Sequence, residues 1–252
     1  MRALETVLRA AAGALSFLTR LPVGRLVVLD GNDVARGAVL FPVVGAGLGA
    51  LVGVVVVGLD ARLSALLAAG IAVALEALLT GAIHLDALAD SADGVGAGSR
   101  ERALAVMREP TIGAFGASAL VVDLLVKTTA LAAVAGGPDA VVAVAAAFGL
   151  GRTAPLAVGW ALPYARTEGG SGSALTGKAG EISRALGVAV GVGLAVAVLG
   201  SRGAALVGAA AAATIIVGLV ARRRVGGVTG DILGAATELA TTVALVAAVA
   251  TR

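Results

Sequence analysis

The chain has 252 residues and a formal net charge of +3; 59% of its residues are hydrophobic, only 14% are charged, and its mean hydropathy is +1.01. Water-soluble domains carry roughly 25% charged residues, so this composition argues against a soluble monomer and places the chain in a lipid bilayer. One Trp, one Tyr and four Phe, with no continuous basic face, argue against nucleic-acid binding, and the absence of Cys excludes disulfides and Cys-ligated zinc.

The N-terminal segment, residues 1–36, predicts an amphipathic helix at the membrane interface on the cytoplasmic side. Its apolar residues recur on one helical face: Leu4, Leu8, Ala11, Leu15 and Leu18. A cleaved signal peptide is the alternative, but Glu5 and Arg9 shorten the apolar stretch that such a signal needs. Pro22 is expected to end the helix.

Seven apolar runs, each about long enough to cross a bilayer as a helix, follow this segment. They cover residues 37–59, 63–83, 111–135, 140–162, 185–201, 203–221 and 232–251. The sequence therefore predicts an all-α fold, a single integral membrane domain over residues 1–252 with a polytopic bundle of about seven transmembrane helices over residues 37–251. Lys and Arg concentrate before the first run and in the longer polar loops. By the positive-inside rule, these segments are expected on the cytoplasmic side of the inner membrane.

The most informative polar stretch follows the second run, at residues 81–98. If that helix continues past residue 83, then Asp86, Asp90 and Asp93 are spaced i, i+4 and i+7 and lie within about 60° of one another. Three carboxylates on one stripe repel each other, and a bound divalent cation would reverse that cost; hard oxygen ligands without Cys favour Mg²⁺ or Mn²⁺. The alternative is that these acids only solvate a helix end, with Gly94 as an ordinary C-cap.

Basic residues come directly after this acidic stripe. Arg100, Arg102 and Arg108 follow three glycines whose backbone amides are free to bind an anion. Carboxylates for a metal beside basic groups for phosphates indicate phosphoryl transfer, in which positioning and charge neutralisation supply most of the catalysis. His84 could act as a base or polarise a phosphate, or it could be an interfacial hydrogen-bonding residue, and both interpretations stay open.

Five charged residues fall inside the apolar runs: Glu76, Asp123, Lys127, Arg152 and Glu238. Asp123 and Lys127 are spaced i and i+4, so they could form an internal ion pair; the alternative is that Lys127 faces a phosphate. Glu76 and Arg152 have no partner nearby in the sequence. They could pair with each other across the bundle, because charged residues at membrane depth face its interior or a cavity.

A second polar segment precedes the last run. The triple arginine Arg222–Arg224 is typical of a positive-inside anchor. Thr229 and Asp231 open a helix, either as an N-cap or as part of a site, and Glu238 is spaced i+7 from Asp231 and so shares its face. The segment lies on the same predicted side of the membrane as the aspartates at 86–93. This shared side favours a role in the functional site over a role as an N-cap alone.

The motifs HLDxLADxxDG at 84–94 and TGDxLGAxxE at 229–238, with FLTRLP at 17–22 and RG at 36–37, resemble the cobalamin synthase family, the adenosylcobinamide-GDP ribazoletransferases. Further similar positions run over nearly the whole chain. Ala82 departs from the family pattern, which usually has Gly before the His segment.

The resemblance implies a Mg²⁺-dependent reaction in which α-ribazole, or its 5′-phosphate, displaces GMP from adenosylcobinamide-GDP and closes the nucleotide loop of the corrinoid. It implies His84, Asp86, Asp90 and Asp93 as catalytic residues, the three aspartates being the metal ligands. The residues implied in substrate binding are Arg20, Arg36, Arg100, Arg108, Lys127, Arg152, Arg166, Thr229, Asp231 and Glu238. A homo-oligomer in the membrane is left open.

Two other functions are weighed against this one. CDP-alcohol phosphotransferases also use interfacial Asp clusters, but their D-x-x-D-G-x-x-A-R pattern is missing, because Val, Gly, Ala and Gly follow Gly94. A secondary transporter would use acidic residues near the membrane midplane, whereas most acids here are predicted at one surface.

Overall fold

The computed structural model describes residues 2–25, 28–177 and 180–252. Apart from short 3-10 segments and one isolated parallel bridge, the regular structure in this part of the chain is α-helical. The helices, in chain order, are α1 Arg2–Leu18, α2 Gly31–Gly37, α3 Phe41–Asp60, α4 Ala65–Thr80, α5 Ile83–Gly96, α6 Arg100–Val106, α7 Ala114–Val134, α8 Ala140–Ala161, α9 Glu181–Leu199, α10 Ser201–Arg224 and α11 Gly230–Ala250. The predicted all-α fold is confirmed.

Among the described helices, six units are long and apolar enough to cross a membrane: α3 with the preceding α2, α7, α8, α9, α10 and α11. The helices α4 and α5 meet the same criterion only as a pair, and the pair is bent by 89°. Counting this bent pair as one span gives seven crossings; α4 packs against α3 and α7, and α5 packs against α7 and α11. The predicted polytopic bundle with about seven transmembrane helices is confirmed.

The centre of the bundle is formed by α8 and α11, whose apolar windows are 72% and 67% buried, against 22–39% for the other spanning units. Gly45, Gly49 and Gly53 recur every four residues on α3 and face α8. A Cβ at Gly49 would lie 2.6 Å from the Phe148 Cβ, so the two backbones can approach this closely only with glycine. In a bilayer the hydrophobic effect does not drive helices together, because lipid tails are as apolar as the side chains. Close packing through small residues such as these glycines stabilises the contact instead.

The two ends of the bundle differ in their connections. At one end the connecting segments are short: residues 61–64, 135–139 and 200. The other end, which we call the site end, carries α1, α5, α6 and two longer segments, residues 162–177 and 225–229. The short links therefore join α3 to α4, α7 to α8 and α9 to α10 as helical hairpins.

A sharp turn separates α4 from α5, so the two do not form the continuous helix considered from the sequence. Gly81 and Ala82 both adopt the left-handed backbone conformation, with φ of 66° and 57°. Arg20 reaches this turn from the end of α1: its amide donates to the Leu79 carbonyl at 2.8 Å, and its side chain contacts Gly81. The turn therefore swings the acidic helix away from the membrane normal and across the site end.

We expect Ala82→Gly to raise the free energy of unfolding by about 1 kcal/mol. A left-handed conformation costs a residue with a Cβ roughly 1–2 kcal/mol, and the greater flexibility of glycine in the unfolded chain takes back part of that gain. The measurement is the thermal unfolding of the detergent-solubilised protein. Ala77→Gly, inside α4, is the control and should lower stability by about 1 kcal/mol; if Ala82→Gly were destabilising as well, the strain assigned to this turn would be wrong.

The predicted N-terminal helix is present as α1 and ends at Leu18. Three of its large apolar side chains are exposed: Leu4, Val7 and Leu8. On its other face, Arg9 donates from Nε and Nη2 to the two carboxylate oxygens of Asp33, at 3.1 and 2.6 Å. This two-point ion pair fixes α1 to α2, while the placement of α1 at the membrane interface stays a prediction.

Candidate active site

The acidic motif lies on α5, where Asp86, Asp90 and Asp93 keep the predicted i, i+4, i+7 spacing within one helix. Asp86 is exposed, and Asp90 and Asp93 are half-buried. The helix ends only at Gly96, with Ala97 as its C-cap. The interpretation of Gly94 as a C-cap is therefore wrong, and the carboxylates occupy the body of a helix.

A cavity of about 280 Å³, which we call the acidic cavity, lies between α1, α5 and the first two turns of α11. Polar side chains from three helices line it: Ser16, His84, Asp86, Asp231 and Thr237. The helices α5 and α11 approach closely because Gly234 lies against Ala87, where a Cβ on the glycine would overlap the alanine. The two sequence motifs thus meet in one cavity, although they are far apart in the chain.

His84 is buried at the wall of this cavity, with 7% of its surface exposed. Its Nδ1 has no hydrogen-bond partner within the described residues. A buried polar atom without a partner is costly, so the packing of this part of the fold leaves His84 incompletely satisfied.

Asp90 lies at the centre of a group of acidic side chains. Burial, together with the neighbouring carboxylates of Asp86, Asp231 and Asp93, raises the pKa of Asp90 to about 6, and the nearby Arg166 opposes the shift. Four carboxylates therefore repel one another at the site end, against one nearby guanidinium. A bound cation would relieve this repulsion.

Asp93 has a structural contact that the sequence analysis missed. Its Oδ2 accepts the Gly113 amide at 2.7 Å and its Oδ1 accepts the Gly116 amide at 2.9 Å, so it caps the N-terminus of α7. Side chains at Gly113 or Gly116 would collide with this carboxylate, and that pairing of Asp with two spaced glycines is the signal that could have indicated the cap. Whether Asp93 also binds a metal stays a prediction.

The carboxylates at this end of the bundle are the side chains that could hold a metal ion. Within the described part of the chain, no three Asp, Glu or His side chains stand together as a ready-made metal cage. Mg²⁺ rarely uses such cages, because it is usually held by one or two carboxylates, water and the phosphates of its substrate. Asp86 and Asp231 line the cavity and provide carboxylate oxygens of this kind, and Asp90 lies one helical turn from Asp86, outside the cavity lining.

The start of α11 is built by Thr229, whose Oγ1 accepts the Ile232 amide at 3.3 Å as an N-cap and donates to Asp231 Oδ2 at 3.1 Å. Arg166 Nη2 pairs with the same Asp231 oxygen at 3.2 Å. The parallel bridge between Tyr164 and Val228 holds the two long segments together beside this pair. The N-cap interpretation of Thr229 is confirmed, and Asp231 lies both in an ion pair and in the cavity wall.

A second cavity of about 410 Å³ lies at the same end, and we call it the basic pocket. It is lined by three arginines that the sequence analysis assigned to substrate: Arg100, Arg108 and Arg166. Arg100 donates from Nη2 to the Ala165 carbonyl at 3.3 Å, and Arg108 pairs with Glu168 at the surface. Because Arg166 also pairs with Asp231, it links the basic pocket to the acidic cavity.

Five charged side chains form a buried network in the bundle interior. Lys127 Nζ lies 3.3 Å from Glu76 Oε2 and 4.0 Å from Asp123 Oδ2, and it also pairs with Glu238. Arg152 Nη2 lies 3.5 Å from Glu76 Oε1. Both expected pairs, Asp123 with Lys127 and Glu76 with Arg152, are confirmed.

This network contains three residues that the resemblance implied for substrate binding. Lys127, Arg152 and Glu238 are each at most 1% exposed, and none lines the acidic cavity or the basic pocket. Arg20 and Arg36, also implied for substrate, are exposed but outside both cavities. A direct substrate contact of these five residues stays a prediction, and the structure brings together the other implied residues instead.

Fold and site together define an integral membrane protein that gathers carboxylates and guanidinium groups at one end of its bundle, the equipment of an enzyme acting on phosphates. The chain matches the family model described as cobalamin-5-phosphate synthase over residues 10–249, and it belongs to that family. It is 40% identical to an adenosylcobinamide-GDP ribazoletransferase from Shigella flexneri and 39% identical to one from Escherichia coli K12, in each case over 92% of this chain and 96% of the relative. No solved structure matches the chain.

The family membership confirms the resemblance drawn from the two motifs and the class of enzyme it implies. It also sets aside the CDP-alcohol phosphotransferase and the secondary transporter.

Proposed function

We propose that this protein transfers the adenosylcobinamide phosphate moiety of adenosylcobinamide-GDP to α-ribazole or its 5′-phosphate, releasing GMP. The observation that carries the proposal is the junction at Arg166, where the acidic cavity meets the basic pocket. A diphosphate needs a cation beside its bridging oxygens and basic groups around the departing nucleotide, and the two cavities offer these side by side.

In this proposal Asp86 and Asp90 would hold Mg²⁺, with Asp231 available from α11. When bound, the cation neutralises charge on the diphosphate as the phosphorus is attacked. The high pKa of Asp90 reflects the crowding that such a cation would relieve. Asp93 contributes by fixing α5 to the start of α7, so that the other carboxylates are held in place.

The basic pocket would hold the GMP half of the substrate. The phosphate of this half would be bound by guanidinium N–H donors of the pocket. Arg108 is suited to this role because its ion pair with Glu168 is exposed, so exchanging the carboxylate for a phosphate costs little. Arg166 would lie between the two halves and stabilise the charge that develops on the leaving phosphate.

His84 would accept the proton of the attacking ribose hydroxyl of α-ribazole on its imidazole ring, which lines the acidic cavity. The hydroxyl oxygen forms a bond to the cobinamide-side phosphorus, the bond from that phosphorus to the bridging oxygen breaks, and GMP leaves with the electron pair. The apolar residues of the cavity wall would exclude water, which otherwise competes as the nucleophile.

We also propose that the site end faces the cytoplasm. It carries Arg100, Arg102, Arg108 and the triple arginine of α10, while the opposite end has only short links. The excess of positive charge supports a cytoplasmic position for this end in the inner membrane.

The direct test uses membranes that contain the overproduced protein, with adenosylcobinamide-GDP and α-ribazole as substrates. We expect a cobalamin product and equimolar GMP, both lost on adding EDTA and restored by excess Mg²⁺. Product formation that EDTA leaves unchanged would refute the metal site, and absence of any product with active control membranes would refute the reaction.

A further inference from the structure

Three arginines at the end of α10 have no partner within the described part of the chain. Arg222, Arg223 and Arg224 are exposed, and no ion pair or hydrogen bond reaches any of their side chains. Most of the other arginines at the site end are paired or line the basic pocket. These three charges are free to bind an external anion.

An apolar groove of about 280 Å³ runs between α8 and α10 and ends at Arg222. One wall is formed by Ala157, Ala161 and Leu162 of α8, and the other by Ile215, Gly218 and Leu219 of α10. Thr214, Gly218 and Arg222 are spaced i, i+4 and i+8, so they lie along one stripe of α10 that leads from the groove floor to its charged mouth.

The groove continues into the membrane. A second hollow, of about 160 Å³, shares Ala157, Thr214 and Ile215 with it and reaches Val207. At about 1.5 Å per residue, Val207 and Arg222 are separated by roughly 22 Å along α10, more than half of the roughly 30 Å hydrocarbon thickness. The groove and the hollow together are therefore about as long as one leaflet is thick, and Arg222 lies at the end where the headgroups of that leaflet would be.

We propose that this groove is a binding site for an anionic phospholipid of the leaflet at the site end. One acyl chain lies between α8 and α10, and the headgroup phosphate is bound by Arg222, which lines the groove. Arg223 and Arg224, outside the groove lining, add positive charge at the same level of the helix. An apolar slot closed by cationic side chains at the interface matches a lipid with a negative headgroup, whereas a soluble nucleotide would leave the apolar walls uncovered. The proposal does not depend on the reaction proposed above.

The site is tested by titrating the detergent-solubilised full chain with phosphatidylglycerol carrying brominated acyl chains. Trp160, the single Trp of the chain, lies on the last turn of α8, next to the groove residue Ala161 but outside the groove lining, with its indole N–H donating to Glu181. We expect bromine in the groove to quench its fluorescence. We expect saturable quenching by phosphatidylglycerol and at least tenfold weaker binding of brominated phosphatidylcholine. Arg222→Gln should weaken phosphatidylglycerol binding about 5-fold, and replacing all three arginines by Gln about 100-fold.

A variant that keeps every charge separates the groove from the arginines. The ideal Cβ positions of Gly218 and Gly208, both on α10, contact nothing within 4 Å, so each should accept a larger side chain without disturbing the fold. Gly218→Leu fills the groove and should weaken phosphatidylglycerol binding at least tenfold, while Gly208→Leu, outside it, should bind like the parent chain.

Three results would overturn the proposal. Equal quenching by the two lipids would mean ordinary contact with detergent-dispersed lipid. Unchanged affinity in Gly218→Leu would mean that the arginines attract headgroups without a groove. The third result concerns the particle mass without lipid. If that mass corresponds to two chains in the parent protein and to one chain in Gly218→Leu, a second copy of the protein occupies the groove.

Discussion

Replacing Asp90 by Asn will lower the turnover of adenosylcobinamide-GDP by about 1,000-fold or more. Asn has nearly the same shape and keeps α5 intact, but it removes the negative charge at the centre of the acidic group. A single electrostatic contact to a transition state is commonly worth 100- to 1,000-fold, and a lost metal ligand adds the catalytic contribution of the metal. GMP release at saturating Mg²⁺ is the measurement.

Asp60→Asn, at the opposite end of the bundle, is the matched control and should leave turnover unchanged. Both variants should be recovered from membranes in parental amounts. If Asp90→Asn releases GMP at the parental rate while folded and inserted, the acidic helix is not the metal site.

Removing the ammonium of the buried network will have the largest effect on stability. Lys127→Met leaves the Asp123 and Glu238 carboxylates without a cationic partner within 4 Å, and Glu76 keeps only Arg152. Removing one partner of a buried ion pair costs about 3–5 kcal/mol, because the remaining charge has neither water nor a counterion. Unfolding of the solubilised protein, monitored by temperature or denaturant, measures this loss.

A second substitution distinguishes charge from packing. Adding Glu238→Gln to Lys127→Met removes one of the orphaned charges and should recover part of the lost stability, as a double-mutant cycle would show. Leu125→Met, on an exposed face of the same helix, should change stability by at most about 0.5 kcal/mol. An unperturbed Lys127→Met variant would mean that the network is hydrated and contributes little to the fold.

Most of the spanning helices could be predicted because their signal is local. Hydrophobic runs located α3 and α7 through α11 to within a few residues, and helical spacing alone was enough to suggest the pair of Asp123 and Lys127. The predicted spacing of the three aspartates was confirmed for the same reason, because it depends only on α5 being a helix. Such features need no knowledge of the other helices.

The features that escaped prediction depend on contacts between distant parts of the chain. The turn at Gly81 and Ala82 includes a residue that rarely adopts the left-handed conformation, so nothing in its own identity indicated a break. The cap that Asp93 provides joins α5 to α7, and the pair of Arg166 with Asp231 joins two segments held together by a single bridge. Each requires the tertiary arrangement that it helps to stabilise.

The buried network also constrains how the protein can be made. Its charges are distributed over α4, α7, α8 and α11, and Glu238 is synthesised 111 residues after its partner Lys127. An isolated Lys, Arg or Asp at the centre of a helix opposes insertion by about 2.5–3.5 kcal/mol. The helices α4, α7 and α8 must therefore either stay beside the translocon until α11 has been synthesised, or enter the lipid with their charges incompletely balanced until then.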